Sequence, residues 1–139
     1  MNRSDVMQWV ADYERAWRDA DVDAVERLFT DDADYRTSPY EVSLVGHDAI
    51  KGFWLDDEGA VFTSHAWPVA VEDRSAVVRV DVHYSDPINQ EYRDVWLLRF
   101  ADDGRVEDFE EWAYWPGRGY DAASGERPSG VRQLRLVIE

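Results

Sequence analysis

This 139-residue chain predicts an α+β domain, helices first and strands after, and three observations carry that expectation. Apolar residues recur at helical spacing through about residue 55. From Val61 onward the sequence turns to long runs rich in Val, Trp, Tyr and Phe, the composition of half-buried strands. Turn chemistry separates those runs at Glu72-Asp73-Arg74, Asp86-Pro87-Ile88-Asn89 and Asp102-Asp103-Gly104, as an antiparallel meander requires.

Taken in order, Ser4 is placed as an N-cap with Asp5 in the first turn, where the exposed amides of a helix start favour an acid. Val6, Trp9, Val10, Tyr13, Ala16 and Trp17 then form one apolar stripe through about Arg18. A shorter helix is expected from about Asp21 to Phe29, with Val22, Val25, Leu28 and Phe29 inward. Ala33 to Thr37 reads as a short strand ended by Ser38-Pro39. Gly46 to Leu55 reads as a third helix with Ile50, Phe53 and Trp54 inward. Four long strands follow: Val61–Glu72, Ser75–Tyr84, Glu91–Ala101 and Arg105–Trp115. The domain is expected over residues 1–116. Residues 117–139 read as a Gly/Ser/Pro-rich connection leading to a β-prone end, Val131–Ile138, suited to pairing with a sheet edge.

Composition narrows the function. The formal net charge of -15 argues against nucleic acid and anionic membrane surfaces, which need clustered Lys and Arg. With no cysteine, disulfides, thiolate metal sites and thiol nucleophiles are excluded. No apolar run approaches the ~18 residues of a membrane helix, and residues 1–9 show no apolar core of a signal peptide. A cytoplasmic protein is expected. Seven tryptophans supply both a core and the walls of a pocket for a flat, apolar ligand. No phosphate-cradling glycine loop appears, and no cofactor is expected. His65, His83 and Asp81 on neighbouring strands are the set a divalent ion would accept. Chance meeting of cross-strand neighbours explains them as well, and no metal is expected.

The run Ser75–Tyr84 has two unlike faces. Alternation puts Arg79, Asp81 and His83 on one side and Val78, Val80, Val82 and Tyr84 on the other. The ionisable face is either covered by water, with cross-strand ion pairs to Arg93, Asp94 or Arg99, or it lines a cavity.

The order of elements resembles the nuclear transport factor 2-like superfamily in its SnoaL-like branch. The likeness rests on Trp17…Asp21–Tyr35, on Gly46-His-Asp-Ala-Ile50 and on Asp103-Gly104-Arg-Val106, and it covers about Met7 to Pro116. It implies a cone-shaped domain in which a curved antiparallel sheet and three N-terminal helices enclose a deep apolar pocket. It also implies a homodimer through the outer sheet face, to which the strip Val78, Val80, Val82 is assigned here. Fold alone does not fix function.

Two segments resemble the limonene-epoxide-hydrolase family. Arg79-Val80-Asp81-Val82 is similar to its Arg-x-Asp strand segment, in which Asp activates water and Arg holds it ready. Tyr35-Arg36-Thr37-Ser38-Pro39 is similar to its Tyr-x-Asn-x-Pro segment, with Thr37 at the Asn position. The resemblance implies Asp81, Arg79 and Tyr35 as catalytic residues inside the pocket. The family's second carboxylate aligns with Tyr114, a phenol weaker as an acid by ~6 pK units. Glu110, on the same face as Trp112 and Tyr114, is the carboxyl placed to supply the acid, unless it is only a structural partner of an arginine such as Arg93. A ketosteroid isomerase reading is set aside, because Thr37 and Ser38 stand where that family has its base. Tyr13, Trp17, Thr37, Trp54, His83, Trp96 and Trp112 are expected to contact the ligand. Two readings follow: acid–base chemistry on a hydrophobic substrate (epoxide hydrolysis, cyclisation or dehydration), or a non-catalytic ligand-binding or dimeric assembly module.

Overall fold

A computed structural model describes residues 1–55 and 59–117; the expectations for Val131–Ile138 and for most of 117–139 lie outside the described residues. Helix α1 spans Arg3–Arg18, a 3₁₀ turn spans Val22–Ala24, and α2 is the single turn Val25–Leu28. Strands β1 (Phe29–Arg36) and β2 (Leu44–Val45) precede α3 (His47–Leu55). Strands β3 (Val61–Glu72), β4 (Ser75–Asp86), β5 (Gln90–Phe100) and β6 (Val106–Tyr114) complete the fold.

The six strands form one curved, open sheet in the order β2-β1-β6-β5-β4-β3. Strands β3 to β6 are the expected meander of antiparallel neighbours. The sheet is nonetheless mixed rather than antiparallel throughout, because β1 runs parallel to β6. Asp102-Asp103-Gly104 turns β5 into β6 with Gly104 at φ 89, a conformation that costs glycine nothing.

Helix α1 is capped two residues earlier than Ser4, at Asn2. The Asn2 side chain accepts from the Asp5 amide, and the Asp5 carboxylate accepts from the Asn2 amide. The expected helix over Asp21–Phe29 is broken into the 3₁₀ turn and α2, and Phe29 already begins β1.

One side of the sheet is covered by the helices. Val6, Trp9, Val10 and Tyr13 from α1 and Ile50 and Trp54 from α3 pack there on the inward side chains of the strands. Reading across the paired strands, the inward rows run Phe62–Tyr84, Ser64–Val82–Tyr92, Ala66–Val80–Asp94–Ala113 and Pro68–Val78–Trp96–Glu111. Val78, Val80 and Val82 therefore lie in the core, with Val80 at 0% exposure. This corrects the assignment of that strip to an outer, dimer-forming face. The outer rows hold His65–Asp81–Arg93–Tyr114 and Trp67–Arg79–Val95–Trp112. Burying three valines removes more free energy than burying Arg79, Asp81 and His83 in their place, so the apolar side meets the helices.

Candidate functional site

The inward face carries two carboxyl groups among aromatic rings. Asp94 is 3% exposed and Glu111 is 8% exposed. Trp96 pairs with Glu111 and Asp94 with Ala113, so the two acids are diagonal neighbours on one face, a spacing of roughly 7 Å. Strand alternation places them there because each occupies the inward phase of its strand: Tyr92, Asp94, Trp96, Leu98 on β5 and Phe109, Glu111 on β6. The Trp96 indole N–H donates to the Glu111 carboxylate at 3.2 Å.

Above them, Tyr13 of α1 and Tyr35 of β1 hold their hydroxyls 2.7 Å apart. Both rings lie parallel to Phe109, with centroids 5.6 and 4.5 Å away. Tyr13 also packs edge-on against Trp96 and Trp54. Its phenol is pushed well above the usual tyrosine range, chiefly by burial and then by neighbouring Tyr35 and Glu111. Tyr13 is therefore held in its protonated form, and either hydroxyl of the pair can be the donor to the other. Trp54 is buried, and its indole nitrogen has no hydrogen-bond partner among the described residues and is shielded from solvent.

The expected site residues divide between the two faces. Tyr13, Tyr35, Trp54 and Trp96 point inward, and Trp17 is partly buried and stacked on Phe62 at 4.2 Å. Thr37 follows β1 and is half-buried. Arg79, Asp81, His83, Glu110, Trp112 and Tyr114 belong to the opposite, outer face. That placement corrects the expectation that Asp81, Arg79 and Glu110 or Tyr114 meet Tyr35 inside a pocket. The alternation was read correctly, but the face turned toward the helices is the other one.

On the outer face, Arg79 donates to Asp81 at 2.8 Å and lies over the Trp67 ring at 5.4 Å. Asp81 and His83 border a shallow groove of about 290 Å³ with Thr63, His65 and Glu91. His83 bonds Asn89, and among the described residues no three His, Asp or Glu side chains converge as a metal site. Glu110 accepts from the Trp112 indole at 2.6 Å and pairs with Arg36 at 3.6 Å, not with Arg93. Asp108 lies nearby. Partial burial, and then the like charges of Asp34 and Glu110, raise its carboxyl above the ordinary value, although Arg36 and Arg99 pull it down.

Sequence reasoning missed Asp94 and Glu111 as inward groups. The signal was present for Asp94, the one acid in a strand phase otherwise filled by Tyr92, Trp96, Leu98 and Phe100; Glu111 shares its phase with Phe109 but also with Glu107, so its signal was weaker. An acid in such a phase is costly to bury and marks either a polar network or a working group.

Helices on one face of an open, curved, mixed sheet define the nuclear transport factor 2-like fold. The SnoaL-like domain profile matches residues 10–109, and the chain belongs to that family. Among solved structures, the chain is similar to SalBIII, described as an epoxide hydrolase/cyclase-like enzyme in pyran ring formation in the polyether salinomycin. The identity is 20%, the TM-score 0.66, and the match covers 80% of this chain and 90% of that one. A ketosteroid isomerase-like protein from Erwinia carotovora atroseptica SCRI1043 matches at 19% identity and TM-score 0.60, covering 82% of this chain and 97% of that one. An uncharacterized protein with a cystatin-like fold from Silicibacter pomeroyi DSS-3 matches at 15% identity and TM-score 0.59, over 76% of this chain and 73% of that one. At these identities the likeness shows the fold alone. No curated protein matches the chain in sequence.

Proposed function

We propose that this chain is an acid–base enzyme acting on a small, hydrophobic, uncharged molecule admitted between the helices and the sheet. The observation that carries the reading is the pair Asp94 and Glu111, buried on the inward face beside the Tyr13–Tyr35 hydroxyls. Carboxyl groups are expensive to hold among aromatic rings, and a core with no chemical task is better served there by leucine or methionine.

Hydrolysis of an epoxide is the most concrete version. Water attacks a ring carbon while Asp94 accepts its proton. The C–O bond breaks, and the leaving oxygen takes a proton from Glu111, giving a diol. Tyr13 and Tyr35 orient the oxygen through their hydroxyls. General acid and general base each contribute about 10²- to 10⁴-fold in such steps. Similarity of fold to an epoxide hydrolase/cyclase-like enzyme supports this class without assigning the substrate.

The test is turnover of styrene oxide and cyclohexene oxide by the wild type, Asp94→Asn, Glu111→Gln and Asp81→Asn. Each interior variant is expected to lose at least ~100-fold in kcat, while Asp81→Asn retains wild-type rates. Loss in Asp81→Asn with retention in Asp94→Asn would return the chemistry to the outer face. The alternative is a ligand-binding module without chemistry. It is favoured by the Trp96–Glu111 bond, which gives Glu111 a structural partner. Binding of hydrophobic probes with no turnover of either epoxide selects that alternative. We also propose that the outer face, with Trp67, Trp112 and Tyr114 exposed on it, pairs with a second copy of the chain.

A further inference from the structure

The indole nitrogen of Trp54 is a fully buried donor without an acceptor among the described residues, although the rest of the residue is well packed. Its ring sits edge-on against Tyr13 at 5.1 Å and against Phe29 at 6.4 Å. Two other buried indoles show what the fold ordinarily provides: Trp9 donates to the Leu28 carbonyl at 3.0 Å, and Trp96 donates to Glu111 at 3.2 Å. An unmet N–H in the interior costs free energy that a phenylalanine at the same place would not. Solvent does not reach the atom. A molecule held between the helices and the sheet would supply the missing acceptor.

We propose that Trp54 Nε1–H is a recognition donor for an oxygen acceptor on the molecule bound between helices and sheet. The inference rests on the interior reading above and deepens it by naming the ligand's chemistry: an apolar framework bearing a carbonyl, ether or epoxide oxygen. Tyr13, held protonated and packed against the Trp54 ring, supplies a second donor from the same helix-covered side. Two donors on that side and two carboxyls on the sheet polarise the interior. The ligand's oxygen turns toward the helices, and its exchangeable proton or attacking water turns toward Asp94 and Glu111. Trp54 is in this account a positioning and specificity residue rather than a proton carrier, because an indole N–H does not titrate.

The test uses the full chain with two probes of matched shape, 2-tetralone and tetralin, which differ in one carbonyl. In ¹⁵N-correlated spectra the Trp54 indole resonance, assigned by triple-resonance methods and by its loss in Trp54→Phe, is expected to move downfield with the ketone. Tetralin should leave it nearly unmoved. The ketone should bind roughly three- to tenfold tighter than the hydrocarbon, the range of one net hydrogen bond, and Trp54→Phe should reduce that ratio to about one. Perturbation of the Trp9 or Trp96 indoles by the ketone with the Trp54 signal unmoved overturns this proposal and leaves interior binding intact. Retention of the full ketone preference in Trp54→Phe overturns it likewise. If neither probe perturbs any interior indole, the interior reading fails and carries this inference with it. The wild-type spectra stand alone should the variant not fold.

Discussion

Val80 and Arg79 are neighbours in sequence and end on opposite sides of the sheet. Full burial of a valine side chain is worth about 1.5–3 kcal/mol, and β4 commits three of them to the helix-covered side. Exposed ion pairs such as Arg79–Asp81 return only about 0–1 kcal/mol, too little to reverse that choice. Phe109→Ala, which removes the ring on which both Tyr13 and Tyr35 stack, is expected to lose about 3–5 kcal/mol in chemical denaturation. Asp81→Asn should stay within about 0.5 kcal/mol of wild type. Comparable losses in the two variants would contradict the placement of the faces. At this scale the sequence showed which residues share a side but not which side is inside. Period-two alternation is symmetric, and only the total apolar content of each face breaks the tie. The mixed face of Arg79, Asp81 and His83 attracted attention as a working surface. The single acid in the aromatic phase of Asp94, and Glu111 beside Phe109, were the truer mark of polar groups in the interior.

At the scale of elements, the four long strands and helices α1 and α3 were legible from periodicity and turn chemistry to within two or three residues. Strand β1 was less so, because Thr30, Asp31 and Asp32 look like a helix end and a loop; they fall in an irregularity of the ladder, and the pairs Phe29–Val106 and Asp34–Asp108 on either side carry the strand across them. The start of α1 was displaced for a related reason: Ser4 and Asn2 are both competent caps, and the reciprocal bond to Asp5 selects Asn2. Asn2→Ala is expected to cost about 1 kcal/mol, measured as a lowered Tm, and Ser4→Ala should cost much less. Equal losses would show that the cap is not where the hydrogen bonds put it.

At the scale of the molecule, among the described residues one sheet face is covered by helices and the other is bare. The bare face mixes Trp67, Val95 and Trp112 with Arg79, Asp81 and Arg93, so it offers apolar area and both signs of charge to an identical surface. Sedimentation at micromolar concentration is expected to give about twice the chain mass of 16.2 kDa, and Trp112→Glu should return the value to that of one chain. A monomeric wild type removes the second-copy proposal without touching the interior site. The parallel seam between β1 and β6 bears on biosynthesis. Strand β1 emerges early from the ribosome, yet the ladder that seats it is made with β6, the last of the described strands. The N-terminal helices must therefore wait, half-assembled, until β6 has been made, a long-range closure of the kind that slows folding and leaves apolar surface open meanwhile.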